Sequence, residues 1–379
     1  MDKKIRVVFF IYQFGAGGAA RTLLNILNHL DQHVFEPILV TLDYNGSYER
    51  FLNENIQVNK LPTKRLRSAI IPFAKFIHQQ KVDIVFSTIP NYNIIAILAR
   101  LFSFTKAITI VREAAYLQEH PLKLRVYGYF YRFAHKVISL SQGVKKNLVN
   151  HYNVKSDKIE VIYNPVDLSV IADLSGRTGD LGEFAHIFQK NKKTIVTAGR
   201  FVKEKDQKTL IKAFAKVRKQ IPCQLILLGE GELEHDLKAL AQSLEITDDV
   251  YFIGFQQNPY VFFKHADVFV LSSLTEGFGH VLVEALATKT PVVSTNCKPG
   301  AQEILQNGTF GQLCEVGNEI DLSKKIYEIL TVNDNERAKL VQKGYLRAKQ
   351  FDAKKITKQY ERIFIETIER NRQLRDRRR

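Results

Sequence analysis

The chain has 379 residues, which is too long for one typical domain, so the sequence predicts two. Apolar residues make up 45% of it, as is usual for a globular protein. The three cysteines (Cys223, Cys297 and Cys314) are scattered, which excludes a disulfide framework and a cysteine metal site and fits a reducing cytosol. A formal net charge of +16 indicates an anionic partner.

Two apolar stretches resemble export or membrane segments. Residues 5–12 follow a charged start, but Arg6 interrupts them and a glycine-rich loop follows, so a first buried strand is the better interpretation. Polar residues and a proline interrupt the second stretch, 84–104. Because about 20 consecutive apolar residues are needed to cross a bilayer, we expect no transmembrane helix.

The first half of the chain alternates between short apolar runs and helical periodicity. The runs predict strands at 5–11, 37–42, 84–87, 107–111 and 136–140, and the periodicity predicts helices at 20–30, 93–101 and 142–150. This alternation is typical of a doubly wound, Rossmann-like parallel sheet. Ligands of such sheets bind beyond the carboxyl ends of the strands.

A polar, turn-rich segment separates this half from a second alternating run. We predict an N-terminal domain at 1–175, a linker at 176–193 and a C-terminal domain at 194–355, with a cleft between two Rossmann-like domains. The second run contains predicted strands at 194–198, 224–228, 250–253, 268–271 and 291–294. A final helix with a basic tail, 356–379, is expected to cross back to the first domain.

The segment 276–284 lies where an apolar strand turns into a helix. It places two glycines, Gly277 and Gly279, at the N-terminus of that helix, where free backbone N–H groups favour phosphate. Glu276 precedes the helix and Glu284 lies more than one turn inside it. This arrangement suits a nucleotide sugar, although a structural joint with two solvated glutamates explains this segment equally well by itself.

Two cations follow the first strand of the second half. Arg200 offers a planar fork of donors and Lys205 a compact charge, and together they suit a diphosphate. A solvated turn at 203–206 is the alternative. The glycines at 229–231 do not complete a dinucleotide fingerprint, which disfavours a dehydrogenase. Gly254 ends another strand, where its backbone lines either a base pocket or the core.

In combination, these features resemble the family 4 glycosyltransferases of the GT-B fold. The matching residues occur in the family's order along nearly the whole chain: Gly17-Gly18-Ala19, Asn164-Pro165, Gly199-Arg200, Lys205, Gly229-Glu230-Gly231, and Glu276 to Glu284. The resemblance implies a transferase that moves a hexose or N-acetylhexosamine from a nucleotide-diphosphate sugar, UDP-linked by expectation, with retention of anomeric configuration. The nucleotide sugar is a substrate, and no cofactor is expected.

The resemblance also assigns roles to individual residues. Arg200 and Lys205 would bind the donor diphosphate, Glu276 the hydroxyls of the donor sugar, and Glu284 the ribose. Backbone N–H groups of Gly277, Phe278 and Gly279 would bind the phosphates, and Gly18 would let the first loop approach them closely. Because no Asp-x-Asp follows a strand, no metal is expected.

One region departs from the family pattern. Many relatives place a histidine in the loop after the fourth strand of the N-terminal domain, where this chain has Arg112 and Glu113. We expect Glu113 or Arg112 to line the acceptor side. His120 lies further on and is interpreted as a loop histidine.

Two clusters of basic residues contribute to the net positive charge of the chain. Lys64, Arg65 and Arg67 precede an apolar segment, and Arg125 and Arg132 are interspersed with aromatic residues. Both suit contact with an anionic bilayer, although amphipathic helices facing the core would give the same pattern. A lipid-linked or polysaccharide acceptor at the inner face of the cytoplasmic membrane would require such a surface.

Several alternatives remain open. A sugar-nucleotide epimerase would use the same architecture, and a glycosidase carboxylate pair has no use for Arg200 and Lys205. A nucleic-acid-binding protein is suggested by charge alone, without a recognised binding module. The sequence leaves open the donor base, the sugar, the acceptor and the oligomeric state.

Overall fold

The computed structural model describes residues 3–15, 17–43, 48–114, 116, 120–189 and 191–377. They form two compact units: unit 1 comprises Met1–Val166 and Ala353–Arg379, and unit 2 comprises Asp167–Asp352. The chain thus divides after Val166 and after Asp352 instead of at a linker over 176–193. The last two arginines of the basic tail, Arg378 and Arg379, lie outside the described residues.

Unit 1 is built on a parallel sheet. In its described residues the strand order is β3-β2-β1-β4-β5-β6-β7. The strands are β1 (Ile5–Phe10), β2 (Phe35–Thr41), β3 (Gln57–Lys60), β4 (Ile84–Thr88), β5 (Ile108–Glu113), β6 (Lys136–Ser139) and β7 (Ile159–Val161). The helices of this unit, numbered along the whole chain, are α1 (Gly18–His29), α2 (Ile70–Gln79), α3 (Pro90–Phe102), α4 (Pro121–Tyr131), α5 (Gln142–Asn150) and α14 (Ala353–Asp376).

Both faces of this sheet are covered, which explains why its central strands are continuously apolar. In β1, Val7 and Phe9 belong to a core with α1 and α14, whereas Val8 and Phe10 belong to a core with α2 and α3. Successive side chains of a strand point to opposite faces, so each face needs its own apolar set.

The long C-terminal helix α14 packs on the sheet of unit 1. The Phe364 ring lies 5.8 Å from the Phe86 ring and 6.3 Å from the Phe9 ring, between centroids. Complete burial of such a side chain contributes ~1.5–3 kcal/mol. The buried face recurs at three- and four-residue intervals, at Ile356, Tyr360, Ile363 and Phe364.

Unit 2 contains a second parallel sheet, with the order β10-β9-β8-β11-β12-β13 among its described residues. Its strands are β8 (Lys193–Ala198), β9 (Cys223–Leu228), β10 (Val250–Phe252), β11 (Val268–Leu271), β12 (Val292–Thr295) and β13 (Gln312–Cys314). Its helices are α6 (Leu168–Gly176), α7 (Gln207–Arg218), α8 (Glu234–Ser243), α9 (Tyr260–His265), α10 (His280–Ala287), α11 (Gly300–Ile304), α12 (Glu319–Thr331) and α13 (Asp334–Ala348).

The segment that was predicted to be a linker is packed into unit 2. Residues Thr178–Gln189 form 3₁₀ turns with a break at Gly182. Ile187 is fully buried, and its carbonyl accepts a 2.8 Å hydrogen bond from the Gln224 side chain. Polar turn residues at 175–180 indicated a linker, but the apolar residues that follow them supply core contacts.

The prediction of two doubly wound parallel sheets is confirmed. None of the helices in the described parts of the chain combines the length and the apolarity needed to cross a membrane.

Candidate functional site

The strand order of unit 2 brings two of the predicted segments together. Strands β8 and β11 are neighbours in the sheet, so the loops after them lie side by side at their carboxyl ends. The Leu274 N–H donates to the Glu204 carbonyl at 2.8 Å, and the Ser272 hydroxyl donates to the Lys205 carbonyl at 2.9 Å. These bonds fix the loop that carries Lys205 against the loop that leads to Glu276.

The side chains of Lys205 and Glu276 form an ion pair in that place. The Lys205 ammonium contacts Oε1 of Glu276, and the Ser273 hydroxyl donates to the same oxygen at 3.0 Å. Both charged side chains keep part of their surface accessible. The structure therefore brings together a predicted phosphate ligand and a predicted sugar ligand that are 71 residues apart in sequence.

The backbone around Glu276 is held by the loop after β12. Glu276 forms an isolated parallel bridge with Pro299, and its carbonyl accepts from the Gly300 N–H at 2.9 Å. Behind it, the buried thiol of Cys297 has its pKa raised to about 11, first by burial and next by the charge of Glu276. This thiol stays protonated at neutral pH, so it adds no charge to the site.

The glycine-rich segment ends at the N-terminus of α10, as predicted. Gly279 caps the helix in the left-handed region with φ +93°, which favours glycine. Phe278 is buried, with its ring 5.4 Å from the Phe351 ring, and Gly277 is partly exposed. The buried aromatic ring anchors the segment at a helix N-terminus, where backbone N–H groups and the helix dipole favour an anion.

Arg200 and the neighbouring glycines also lie at the carboxyl ends of the strands of this sheet. The Arg200 side chain is exposed, and its carbonyl accepts from the Gln207 side chain at 2.9 Å. At the end of β9, Gly229 has φ +136°, and a Cβ there would lie 2.1 Å from the Gly199 carbonyl oxygen. Only glycine allows the ends of β8 and β9 to approach so closely.

The two remaining donor-side predictions in unit 2, Glu284 and Gly254, differ in their surroundings. Glu284 in α10 is only 1% exposed, so its predicted contact with a ribose stays a prediction. The Gly254 carbonyl accepts from the Gly229 N–H at 2.8 Å, and the next residue, Phe255, exposes its ring. The Gly254 backbone therefore lies at the same carboxyl edge of the sheet.

In unit 1, Arg112 and Glu113 end the central strand β5 and point to opposite faces. Both are buried. Arg112 donates to the Thr88 hydroxyl at 3.0 Å and also contacts the Asn164 side chain. Glu113 accepts from the Tyr131 hydroxyl at 2.9 Å.

Tyr131 is a partner that the sequence did not single out. Burial, followed by the charge of Glu113, raises the pKa of Tyr131 well above its ordinary value. The hydroxyl therefore stays protonated and donates a hydrogen bond to the Glu113 carboxylate. The Asn93 amide in turn donates a hydrogen bond to the hydroxyl oxygen at 2.9 Å. The sequence signal for this network is that Asn93 and Glu113 both come shortly after predicted strands, at 84–87 and 107–111.

The first loop of unit 1 ends at Gly18, the first residue of α1. Gly17 caps this helix with φ +140° and has open space around it. Gly18 is exposed, and its carbonyl accepts from the Thr22 hydroxyl at 2.8 Å. The loop residue Ala16 lies outside the described residues. The predicted contact of Gly18 with a diphosphate stays a prediction.

The basic residues of unit 1 are exposed at two places. Lys64, Arg65 and Arg67 surround the 3₁₀ turn Leu66–Ala69. Arg125 lies in α4 and Arg132 follows it directly. His120 is the exposed N-cap of α4, which agrees with its interpretation as a loop histidine.

The outer face of α4 carries an exposed apolar stripe beside these cations. Its members are Leu122, Val126, Tyr129 and Phe133, with exposed fractions of 66%, 45%, 55% and 44%. Spacings of four and three residues place the first three on one side of α4, and Phe133 lies in the turn after the helix, with its ring 5.7 Å from the Tyr129 ring. Within the described residues, no group of three His, Cys, Asp or Glu side chains is arranged to hold a metal ion.

Two family models match the chain and together cover most of it. The model for group 1 glycosyl transferases matches residues 182–347, and the model for glycosyltransferase family 4 matches residues 16–170.

Among curated relatives, the Campylobacter jejuni protein named N-acetylgalactosamine-N,N'-diacetylbacillosaminyl-diphospho-undecaprenol 4-alpha-N-acetylgalactosaminyltransferase is 30% identical. That match covers 92% of this chain and 96% of the relative. The N-acetyl-alpha-D-glucosaminyl L-malate synthase of Bacillus anthracis is 29% identical, over 62% of each chain.

Solved structures support the same fold. A glycosyltransferase of Rickettsia africae has a TM-score of 0.83 at 20% identity, covering 96% of this chain and 99% of that one. The Anabaena protein HepE, solved in complex with UDP, has a TM-score of 0.80 at 21% identity, covering 96% and 100%. These neighbours have the GT-B fold, and the two parallel sheets described above agree with it.

Proposed function

The chain belongs to glycosyltransferase family 4 and acts on nucleotide sugars, and from this premise we propose that it is a retaining, metal-independent transferase with a lipid-linked acceptor. The donor in this proposal is a UDP-linked hexose or N-acetylhexosamine. The observation that carries the proposal is the junction of Lys205, Glu276 and the α10 N-terminus at one edge of the unit 2 sheet.

We propose that the cationic and N–H groups of this junction bind the leaving group. Cleavage of the bond between the anomeric carbon and the phosphate oxygen builds negative charge on the departing diphosphate. Arg200, Lys205 and the N–H groups at Gly277–Gly279 would stabilise that charge more strongly in the transition state than in the ground state. These groups supply positive charge without a metal ion.

Glu276 is assigned to the donor sugar. In the free protein its carboxylate holds the Lys205 ammonium, and an arriving diphosphate would compete for that ammonium. Glu276 would then accept hydrogen bonds from sugar hydroxyls. In the proposed front-face displacement the acceptor oxygen bonds to the anomeric carbon on the face that the phosphate leaves. The acceptor's proton passes to the departing phosphate oxygen, so configuration is retained.

The acceptor is assigned to unit 1. The Campylobacter jejuni relative is named for a diphospho-undecaprenol substrate, which supports a lipid-linked acceptor for this chain. Glu113, held by Tyr131, is proposed to line the acceptor side. The exposed apolar stripe of α4, with Arg125 and Arg132 beside it, supports peripheral binding to the inner face of the cytoplasmic membrane.

A donor screen followed by product analysis tests the proposal. Thermal shift with UDP-, GDP- and ADP-sugars should show the largest stabilisation by a UDP-sugar. The preferred donor, radiolabelled in its sugar, should then label an undecaprenyl-diphosphate-linked saccharide with an α linkage from an α donor, and EDTA should not reduce the rate. An altered nucleotide sugar formed without acceptor would identify an epimerase and refute the proposal.

A further inference from the structure

Most of the chain's excess positive charge lies in one part of unit 1. Residues 55–156 contain sixteen Lys and Arg against three Asp and Glu, which is a net +13 of the chain's +16. The stretches 55–82 and 84–112 contain no acidic residue at all. Such a field concentrates anionic ligands on the surface that these residues form.

That surface contains a groove between the 3₁₀ turn Leu66–Ala69 and α3. Its volume is about 830 Å³, which lies within the range of about 300–1,000 Å³ that is typical of ligand pockets. One rim carries the exposed side chains of Arg65 and Arg67, and the opposite wall is formed by α3. The lining residues are Arg65, Leu66, Arg67, Ser68, Asn91, Ile94 and Ile95.

Hydrogen bonds fix both walls of the groove. The Ser68 N–H donates to the Arg65 carbonyl at 3.0 Å, which holds the turn that carries both arginines. The Tyr12 hydroxyl donates to the Lys64 carbonyl at 3.0 Å, so the loop after β1 supports the turn. On the other side, the Tyr127 hydroxyl donates to Asn91 at 3.0 Å and ties α4 to the start of α3.

The chemistry of the lining selects an amphiphilic anion. Two guanidinium groups two residues apart supply donors that match a diphosphate. Leu66, Ile94 and Ile95 supply an apolar wall beside them, which suits an isoprenoid chain. Neither segment contributes a carboxylate that could pair with these arginines.

We infer that this groove binds the diphosphate and the first isoprene units of the polyprenyl acceptor. The inference rests on the proposed function, because it gives the lipid-linked acceptor a place in unit 1. It assigns Arg65 and Arg67 to the diphosphate oxygens, and Leu66 and Ile94 to the hydrocarbon chain. Binding of the acceptor to the groove thus requires both its diphosphate head and its isoprenoid tail.

Calorimetric titration of the full chain with farnesyl diphosphate, below its aggregation concentration, tests this inference. The Arg65→Gln/Arg67→Gln variant should bind at least about tenfold more weakly, because it loses two charge-assisted contacts. Lys75→Gln, which removes an exposed cation of α2 outside the groove lining, is the matched control and should bind like the unmodified protein. Equal binding by the double variant and the unmodified protein would overturn the inference.

Two further ligands separate the head from the tail. Inorganic pyrophosphate and farnesol should each bind at least about tenfold more weakly than farnesyl diphosphate, because each has half of the required chemistry. Ile94→Ser should weaken farnesyl diphosphate and leave pyrophosphate unchanged. Pyrophosphate binding as tight as that of farnesyl diphosphate would reduce the groove to a simple anion site and refute the inference.

A UDP-sugar thermal shift on the same variants separates this inference from the proposed function. Donor stabilisation should be the same in the double variant and the unmodified protein, which also verifies that the variant is folded. If the unmodified protein binds the donor but not farnesyl diphosphate, the groove is refuted and the transferase assignment stands.

Vesicles that contain phosphatidylglycerol but no prenyl lipid distinguish the acceptor from a lipid headgroup. They should bind equally to the double variant and to Lys75→Gln. A selective loss of binding in the double variant would indicate headgroup binding and contradict the inference.

Discussion

Lys205 and Glu276 form an ion pair between the loops after two neighbouring strands, and Ser273 donates to the same carboxylate oxygen. In the proposed function, this pair places the cation that binds phosphate directly beside the carboxylate that binds sugar hydroxyls. Because Glu276 already holds the Lys205 ammonium, we propose that donor binding exchanges this partner for phosphate oxygens. Substitutions at this pair can therefore measure how the Glu276 carboxylate and the donor phosphates compete for the Lys205 ammonium.

Replacing Glu276 with Gln should separate nucleotide binding from turnover. The amide cannot neutralise Lys205, so UDP should bind as tightly as before or more tightly, while transfer falls by about 10²–10³ because the sugar loses its carboxylate. Calorimetry with UDP and initial-rate kinetics measure the two effects.

Ser273→Ala is the matched control for that substitution. It removes one hydroxyl donor from the carboxylate and keeps the ion pair, so the rate should fall by a factor that corresponds to ~1 kcal/mol. Full turnover in Glu276→Gln, or an equal loss in both variants, would contradict the assigned role.

Arg200→Ala should lower kcat by about 10²–10³, equivalent to ~3–4 kcal/mol of transition-state stabilisation. The exposed guanidinium contributes little to folding, so the melting temperature should not change. Steady-state kinetics with the preferred donor provide the measurement. Lys203→Ala removes an exposed cation of the adjacent turn and should retain activity; normal turnover in Arg200→Ala would argue against a phosphate contact.

The stability of the protein should depend on His135 below neutral pH. Burial, followed by the charge of Arg100, lowers the pKa of His135 from 6.5 to about 4, and its Nδ1 accepts from the Thr109 N–H at 3.0 Å. The unfolded chain binds a proton between these values and the folded chain does not, so stability falls as pH drops from 6.5 to 4, by up to ~3 kcal/mol.

His135→Asn should flatten this part of the pH profile, because asparagine does not titrate. Urea unfolding of both proteins at several pH values from 7 to 4 measures the difference. His235→Asn changes an exposed histidine and should leave the profile as it is. Parallel profiles for His135→Asn and the unmodified protein would show that His135 does not contribute.

The apolar stripe of α4 should determine membrane binding. A Tyr129→Ser/Phe133→Ser variant should sediment less with phosphatidylglycerol vesicles, since two exposed aromatic rings no longer enter the headgroup region. Ile320→Ser, which removes an exposed apolar residue of α12 in unit 2, should sediment normally. Equal sedimentation of all three proteins would exclude α4 as the binding face.

Several elements were predictable because both faces of the sheets are buried. The central strands β1, β4 and β11 contain apolar runs, and the loops that follow them are those in which ligand contacts are predicted. The short strands β3, β7 and β13 have no such run. All three are edge strands, where fewer apolar contacts are needed, and the sequence did not predict them.

The division of the chain depended on packing that no local pattern records. Turn residues at 175–180 are typical of a linker, yet Leu181 and Ile187 are buried in unit 2. The amphipathic period of α14 predicts only that one face is buried. The aromatic contacts of this helix with Phe9 and Phe86 place it on the sheet of unit 1, the domain to which it was expected to return.

The sequence by itself determined the family, the parallel sheets and the strand-end positions of Arg200, Lys205 and Glu276, because strand burial and loop chemistry are local properties. Only the tertiary structure decided that Lys205 pairs with Glu276, that Tyr131 donates to Glu113, and that Arg65 and Arg67 border a groove with α3. Those relationships join segments that are distant along the chain, and the order of strands in each sheet brings them together.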